Sequence, residues 1–163
     1  GPQTDEWLDY LIAQGMDVTA TEGDGNGPLH FLASGLLSPA SYLDACRRLF
    51  KRFVEFGLDV NARNKAGETP VFFLHSTDVI FGQQSEVLEM LDEMGVDWLV
   101  RDDKGRTVLH GVAVECDGVF KAIMDRGVDP LLEDADGRTS LDLAAAYGNV
   151  GVMRLFDKKN EGD

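Results

Sequence analysis

Apolar residues recur along this chain at intervals of three and four, in short blocks. Most of these blocks are closed by a glycine. Residues 4–14 (TDEWLDYLIAQ) place Trp7, Leu8, Leu11 and Ile12 on one helical face and stop at Gly15. A second block predicts a helix over Pro28–Ser34. A third is opened by Ser38 as N-cap and Pro39 as first helical residue, and runs to Phe56. In it Tyr42, Cys46, Leu49, Phe53 and Phe56 form a core stripe. Further helices are expected at Pro70–His75, 85–94 (with Val87, Leu88, Met90, Leu91 and Met94 apolar), 108–114, 117–126, 140–146 and 150–157. Gly148-Asn149 forms the last turn, and the polar tail DKKNEGD is expected to fray.

The glycines carry a stricter pattern. Gly-x-Asp occurs at Gly15–Asp17, Gly57–Asp59, Gly95–Asp97 and Gly127–Asp129, and a second glycine follows ten residues later at Gly25, Gly67, Gly105 and Gly137. The first glycine of each pair sits where a helix ends in a left-handed residue. Ten residues are too few for another helix and suit an extended, hairpin-like finger, expected at 17–26, 59–68, 97–106 and 129–138. After the second glycine come GPLH (27–30), TPVF (69–72), TVLH (107–110) and TSLD (139–142). Thr69, Thr107 and Thr139 stand at N-cap positions, where the hydroxyl accepts an orphan N–H of the first turn. Pro28 and Pro70 stand at the first helical position, where a missing N–H costs nothing.

This combination resembles the ankyrin repeat, a turn followed by Thr-Pro-Leu-His-x-Ala with a period of about 33 residues. The resemblance implies an all-α fold: a solenoid of four helix pairs with projecting fingers, preceded by an N-terminal half repeat. One domain is expected over 3–157, divided as 3–20 (half repeat), 21–62, 63–100, 101–132 and 133–157. Gly1–Pro2 reads as the remnant of a cleaved tag, 158–163 as a tail, and the whole as part of a longer protein. Measured against the family period, the first repeat carries nine extra residues and the second five, while the third lacks one; all of this variation lies on the helical side. The long second halves after LHFLA resemble ankyrin arrays of fungal proteins. The expected core is Leu29, Phe31, Leu32, Leu49, Phe53, Val71, Phe73, Leu74, Leu88, Leu91, Leu109, Val112, Ala113, Ile123, Leu141, Leu143, Ala144 and Leu155.

Composition adds limits. The net charge of −14 disfavours direct binding to nucleic acid, whose phosphates it repels. No apolar run approaches the ~18 residues of a membrane span, and no signal peptide is visible. Cys46 and Cys116 read as small buried hydrophobes and point to an intracellular protein, with cytoplasm and nucleus not distinguished. By resemblance, His30 and His110 hydrogen-bond backbone between neighbouring loops, while Phe72 and Asp142 replace that histidine in the other repeats. His75 reads either as a packed imidazole or as a group facing the groove. Glu22-x-Asp24-x-Asn26-Gly27 begins like a calcium loop, but position twelve is Ala33 where a glutamate is needed. No catalytic motif, metal site or cofactor site is assembled by the sequence.

The resemblance therefore implies a non-catalytic module, monomeric in isolation, that binds another protein or peptide through its concave finger and inner-helix surface. The expected partner-binding residues are Arg63, Lys65, Glu68, Trp98, Arg101, Asp103, Lys104, Arg106, Asp136, Arg138 and Tyr147. Trp98 reads alternatively as a packed ring. Charged positions expected to face a ligand, with Glu22, Asp24 and Glu133 added, balance at six bases and six acids. Arg63, Arg101, Lys104, Arg106 and Arg138 form a basic row that suits carboxylates. A basic partner on the outer acids Glu86, Glu89, Asp92 and Glu93 is the competing surface. Val79, Ile80 and Phe81, in the insertion at 76–84, are either edge cover or a second interface. The functional alternative is a structural unit that packs on another domain of its own chain or self-associates through 76–84.

Overall fold

A computed structural model describes residues 2–37, 40–75, 83–115 and 117–161; for 2–5, 7–8, 40–43, 83 and 158–161 it gives the backbone path alone. The regular elements among the described residues are all helical, with no strand. The elements are α1 (Pro2–Ala13), α2 (Pro28–Ala33), α3 (Ala40–Glu55), a 3₁₀ turn (Pro70–Phe73), α4 (Gln83–Glu93), α5 (Val108–Val112), α6 (Asp117–Met124), α7 (Ser140–Ala146) and α8 (Val150–Glu161). The short elements pack in a row: α2 on the 3₁₀ turn, that turn on α5, and α5 on α7. The longer helices α3, α6 and α8 pack on α2, α5 and α7 respectively, and α6 also meets α8.

The stretch expected as a helix over Pro70–His75 is a single 3₁₀ turn. After Pro70, Val71, Phe72 and Phe73 are poor helix formers, and Leu74 already leaves the helical region. In α3 the buried line is displaced from the expected stripe. Phe50 is fully buried beside Cys46, Phe53 and Val54 are half-buried, and Phe56 is exposed under the Arg52 guanidinium. The side chains of Tyr42, Trp7 and Leu8 lie outside the described residues. On α1, Ile12 is half-buried and Leu11 exposed. All of the expected core is buried or half-buried except Phe31, which is 50% exposed. Leu36 and Leu37, in the segment expected to be only a turn, are buried completely, and the neighbouring Gly35 lies against Cys46 of α3. Cys46 is a free buried thiol, raised above its ordinary pKa by burial. Cys116 and the cap at Ser38–Pro39 lie outside the described residues.

The four fingers share one construction. Their first residue, Asp17, Asp59, Asp97 or Asp129, accepts the N–H two residues on through Oδ1, forming an Asx turn. In the last three fingers the sixth residue repeats the device at the tip. Asn64 Oδ1 accepts Ala66 and Glu68 N–H, Asp102 Oδ1 accepts Lys104 and Arg106 N–H, and Asp134 Oδ1 accepts Asp136 and Arg138 N–H. Successive fingers are then joined edge to edge by backbone bonds: Lys65 N to Asp24 O (3.0 Å), Asp103 N to Ala66 O (2.9 Å) and Ala135 N to Lys104 O (2.8 Å). Gly25 shows why its position excludes a side chain. Its φ is +83°, and a Cβ there would lie 2.9 Å from the bonded Lys65 nitrogen.

Leu109, fully buried in α5 at the centre of the short row, tests the packing. Leu109→Ala is expected to cost about 2–5 kcal/mol in urea unfolding; an unchanged midpoint would contradict its burial.

Candidate functional site

The short helices begin where the fingers end, so side chains from both converge on one side of the molecule. His30 and His110 fix that junction. The Nδ1 atom of each accepts a backbone N–H of its own loop, from Gly27 (3.1 Å) and Thr107 (3.0 Å). The Nε2–H then donates to a carbonyl of the next finger, Glu68 O and Arg138 O, both at 3.0 Å. A carbonyl can only accept, so both rings are held as the Nε2–H tautomer. Asp142 keeps the local half of this device: its carboxylate accepts Thr139 N–H, and its own N–H donates to Thr139 Oγ1, the threonine cap as expected. At Thr107 the hydroxyl lies against His110 Nδ1 instead (3.1 Å). At Thr69, where Phe72 replaces the histidine, the buried hydroxyl has no partner among the described residues.

The basic row is largely engaged within the framework. Arg63 donates to Arg101 O (2.9 Å), and Arg101 in turn to Glu133 O and Gly105 O, so these two guanidinium groups clamp one finger to the next. Arg106 pairs with Asp102 (2.8 Å) and lies 3.8 Å from Glu68. Arg138 pairs with Asp134 and Asp136. The Arg138 backbone N–H holds the Asp134 carboxyl below the ordinary carboxylate range, against the pull of burial. Lys65, Asp103 and Lys104 are exposed at the tips; Asp103 faces Arg63 at 3.8 Å, and no ion pair among the described residues involves either lysine. The balance of six bases and six acids omitted Asp17, Asp59, Asp97, Asp102, Asp129 and Asp134, which also lie in the fingers and serve the turns.

Trp98 is buried, at 6% exposure. Its Nε1–H donates to Asp92 (2.7 Å), and Arg126 both grips Asp92 and lies over the ring. Partial burial pushes the Asp92 carboxyl up, but Arg126 and Trp98 outweigh it, and the pKa is lowered. The indole thus belongs to a clamp between α4 and the end of α6 and offers no face to a partner. His75 is exposed and pairs with Glu115. Val79, Ile80 and Phe81 lie outside the described residues.

A cleft of about 410 Å³ opens where the fingers meet the short helices. Of the expected partner-binding residues, Glu68, Arg106, Arg138 and Tyr147 line it. Phe72, Val114 and Leu143 complete an apolar floor that the charge-based reading missed. Val114 is 40% and Tyr147 72% exposed. The available signal was position. Phe72 occupies the histidine place of its repeat and Leu143 the place just after it, as exposed Phe31 does in the first repeat. Among the described residues, no group of three or more His, Cys, Asp or Glu side chains is arranged to hold a metal ion, and no helix is long and apolar enough to cross a membrane.

No family model matches the chain. It is 29% identical over 149 residues to a probable serine/threonine-protein kinase of Dictyostelium discoideum, covering 90% of this chain and 16% of that protein. It is 25% identical over 137 residues to an intracellular phospholipase A2 of Caenorhabditis elegans, covering 77% of this chain and 12% of that protein. Over 60 residues it is 38% identical to ankyrin repeat domain-containing protein 46 of Rattus norvegicus, covering 35% of this chain and 26% of that protein. The chain therefore spans about a quarter or less of each.

The orphaned Thr69 hydroxyl gives a prediction of increased stability. Phe72→His supplies an acceptor for Thr69 and a donor toward the third finger, as His110 does one repeat later. It is expected to raise stability by about 1 kcal/mol, the net worth of an added hydrogen bond, read as a higher midpoint in urea. A lower midpoint would show that the Phe72 ring contributes more to the core than the missing tie.

Proposed function

We propose that this chain is an array of ankyrin repeats forming a solenoid, and that it acts as a non-catalytic interaction module holding a segment of another protein in the cleft between fingers and short helices. The reading rests on the apolar floor of that cleft. Phe72, Val114, Leu143 and Tyr147 stand among ion-paired Glu68, Arg106 and Arg138. An apolar centre with a polar rim is the anatomy of an interface in which a few buried contacts carry most of the affinity. The match to a protein named for its ankyrin repeats supports the family reading. The kinase and phospholipase names describe proteins of which this chain matches a small part.

The ion pairs alter the role of the basic row. Arg63, Arg101, Arg106 and Arg138 are committed to carbonyls and carboxylates of the framework, so they shape the rim. The exposed tip cations Lys65 and Lys104 steer a partner by charge, which acts on association rate more than on affinity.

Peptides selected from a displayed library on the intact chain, then titrated against variants, test this. Tyr147→Ala and Val114→Ser are expected to leave the unfolding midpoint within about 0.5 kcal/mol, as exposed sites do. Together they should weaken binding at least about tenfold, in the range of a lost hot spot. Lys104→Glu should slow association with little effect on dissociation. Binding that survives these changes but is lost when Glu86, Glu89 and Glu93 become lysines would move the interface to the outer helices. A chain that dimerises and selects no peptide would favour the structural unit.

A further inference from the structure

The joint between the first and second fingers lacks two ties that the next joint possesses. At the second-to-third joint, Asn61 bridges across: its Nδ2 donates to Gly95 O and its Oδ1 accepts Asp97 N–H, at 2.9 and 2.8 Å. Arg63 adds the bond to Arg101 O. The equivalent residues of the first finger are Thr19 and Thr21. Thr19 turns back to Asp17, and Thr21 makes no bond across. Among the described residues nothing bonds to the three groups these bridges would meet, Gly57 O, Asp59 N and Arg63 O. A cleft of about 220 Å³ lies there, lined by Thr19, Thr21, Gly57, Asp59 and Arg63, with Val18, Pro28, Leu29 and Leu58 as apolar walls.

We propose that this cleft receives an arginine side chain from a partner protein, replacing in trans the arginine that Thr21 does not supply. A guanidinium carries five N–H donors in a fixed plane and no acceptor, which suits two open carbonyls and the Asp59 carboxylate. The apolar walls suit the methylene stem, as arginine buries its chain while keeping its head polar. Charge agrees. The first finger carries Asp17, Glu22 and Asp24 and no base. The one cation of the lining, Arg63, spends its guanidinium on the third finger. The site is separate from the cleft at Phe72 and Tyr147, and it stands or falls independently of what binds there.

The test titrates Nα-acetyl-arginine amide, with the lysine and citrulline amides as controls, into the ¹⁵N-labelled intact chain. The arginine derivative is expected to shift the amides of Thr19, Thr21, Gly57, Asp59, Ala62 and Arg63 saturably. The neutral citrulline derivative should shift them several-fold less at equal concentration. Thr21→Arg should abolish the response and raise the melting temperature by about 2–4 °C, the size of one added interaction in a chain of this length. Thr21→Leu, which fills the space without a donor, should abolish the response with no such rise. Equal shifts with lysine, shifts spread over all four fingers, or a response that persists in both variants would overturn the proposal.

Discussion

Each joint between successive fingers depends on one backbone hydrogen bond, from the seventh residue of a finger to the carbonyl of the eighth residue of the preceding finger. One such bond contributes only about 1 kcal/mol net, so its value lies in geometry. For the bond to form, both tips must present their edges at the same angle. The Asx turns at the stalk and tip impose that angle, using the side chain of the same finger. Glycines with φ between +73° and +101° at both ends of each finger let the chain enter and leave the turn. The helices then pack at a spacing set by the fingers.

Around this constant bond the joints differ. The first has the His30 tie and an Asn64–Asn26 contact (2.8 Å), but no arginine clamp. The second has Asn61 and Arg63 but lacks the histidine tie, since Phe72 stands there. The third has His110 and Arg101, while Leu99 takes the place of the bridging asparagine and is exposed. The set of ties differs from joint to joint: the asparagine bridge is missing from the first and third, the arginine bond from the first and the histidine tie from the second, and at the first two a cleft lies beside what is missing. The openings on this surface follow from omissions in an otherwise repeated framework.

Much of the fold was legible because its strongest constraints are local. A glycine that must adopt positive φ, a proline at a helix start and an aspartate closing a turn are each dictated by their own neighbourhood, and each recurs in register. The histidine ties were implied by the resemblance of GPLH and TVLH to the repeat motif. Non-local choices were not legible. The phase of the α3 stripe depends on which side Leu36 and Leu37 occupy, and the turn that places them reads as an ordinary loop. Phe31 is apolar and helically spaced, yet its element is so short that only one edge meets the core. At Pro70–Phe73 the helical spacing was read without the cost of three successive poor helix formers, and the element is a single 3₁₀ turn. The arginines were read as ligand-facing because sequence shows a charge but not the carbonyl it reaches. Trp98 was absorbed by Asp92 and Arg126, neither of which its own finger contains.

The ties that cross from one finger to the next share a further property: most of them end on main-chain atoms. Lys65 N meets Asp24 O, His30 meets Glu68 O, His110 meets Arg138 O, Arg63 meets Arg101 O, and Arg101 meets Glu133 O. The receiving residue is arginine in two of these, glutamate in two and aspartate in one, and each accepts through its main-chain carbonyl. Such ties are indifferent to the side chain of the residue that receives them, whereas Asn64–Asn26, Arg63–Asp103 and Arg106–Glu68 link side chains of adjacent fingers. Outside those pairs, selection can rewrite the exposed lettering of a receiving residue without renegotiating the next finger, so surface and frame can evolve at separate rates.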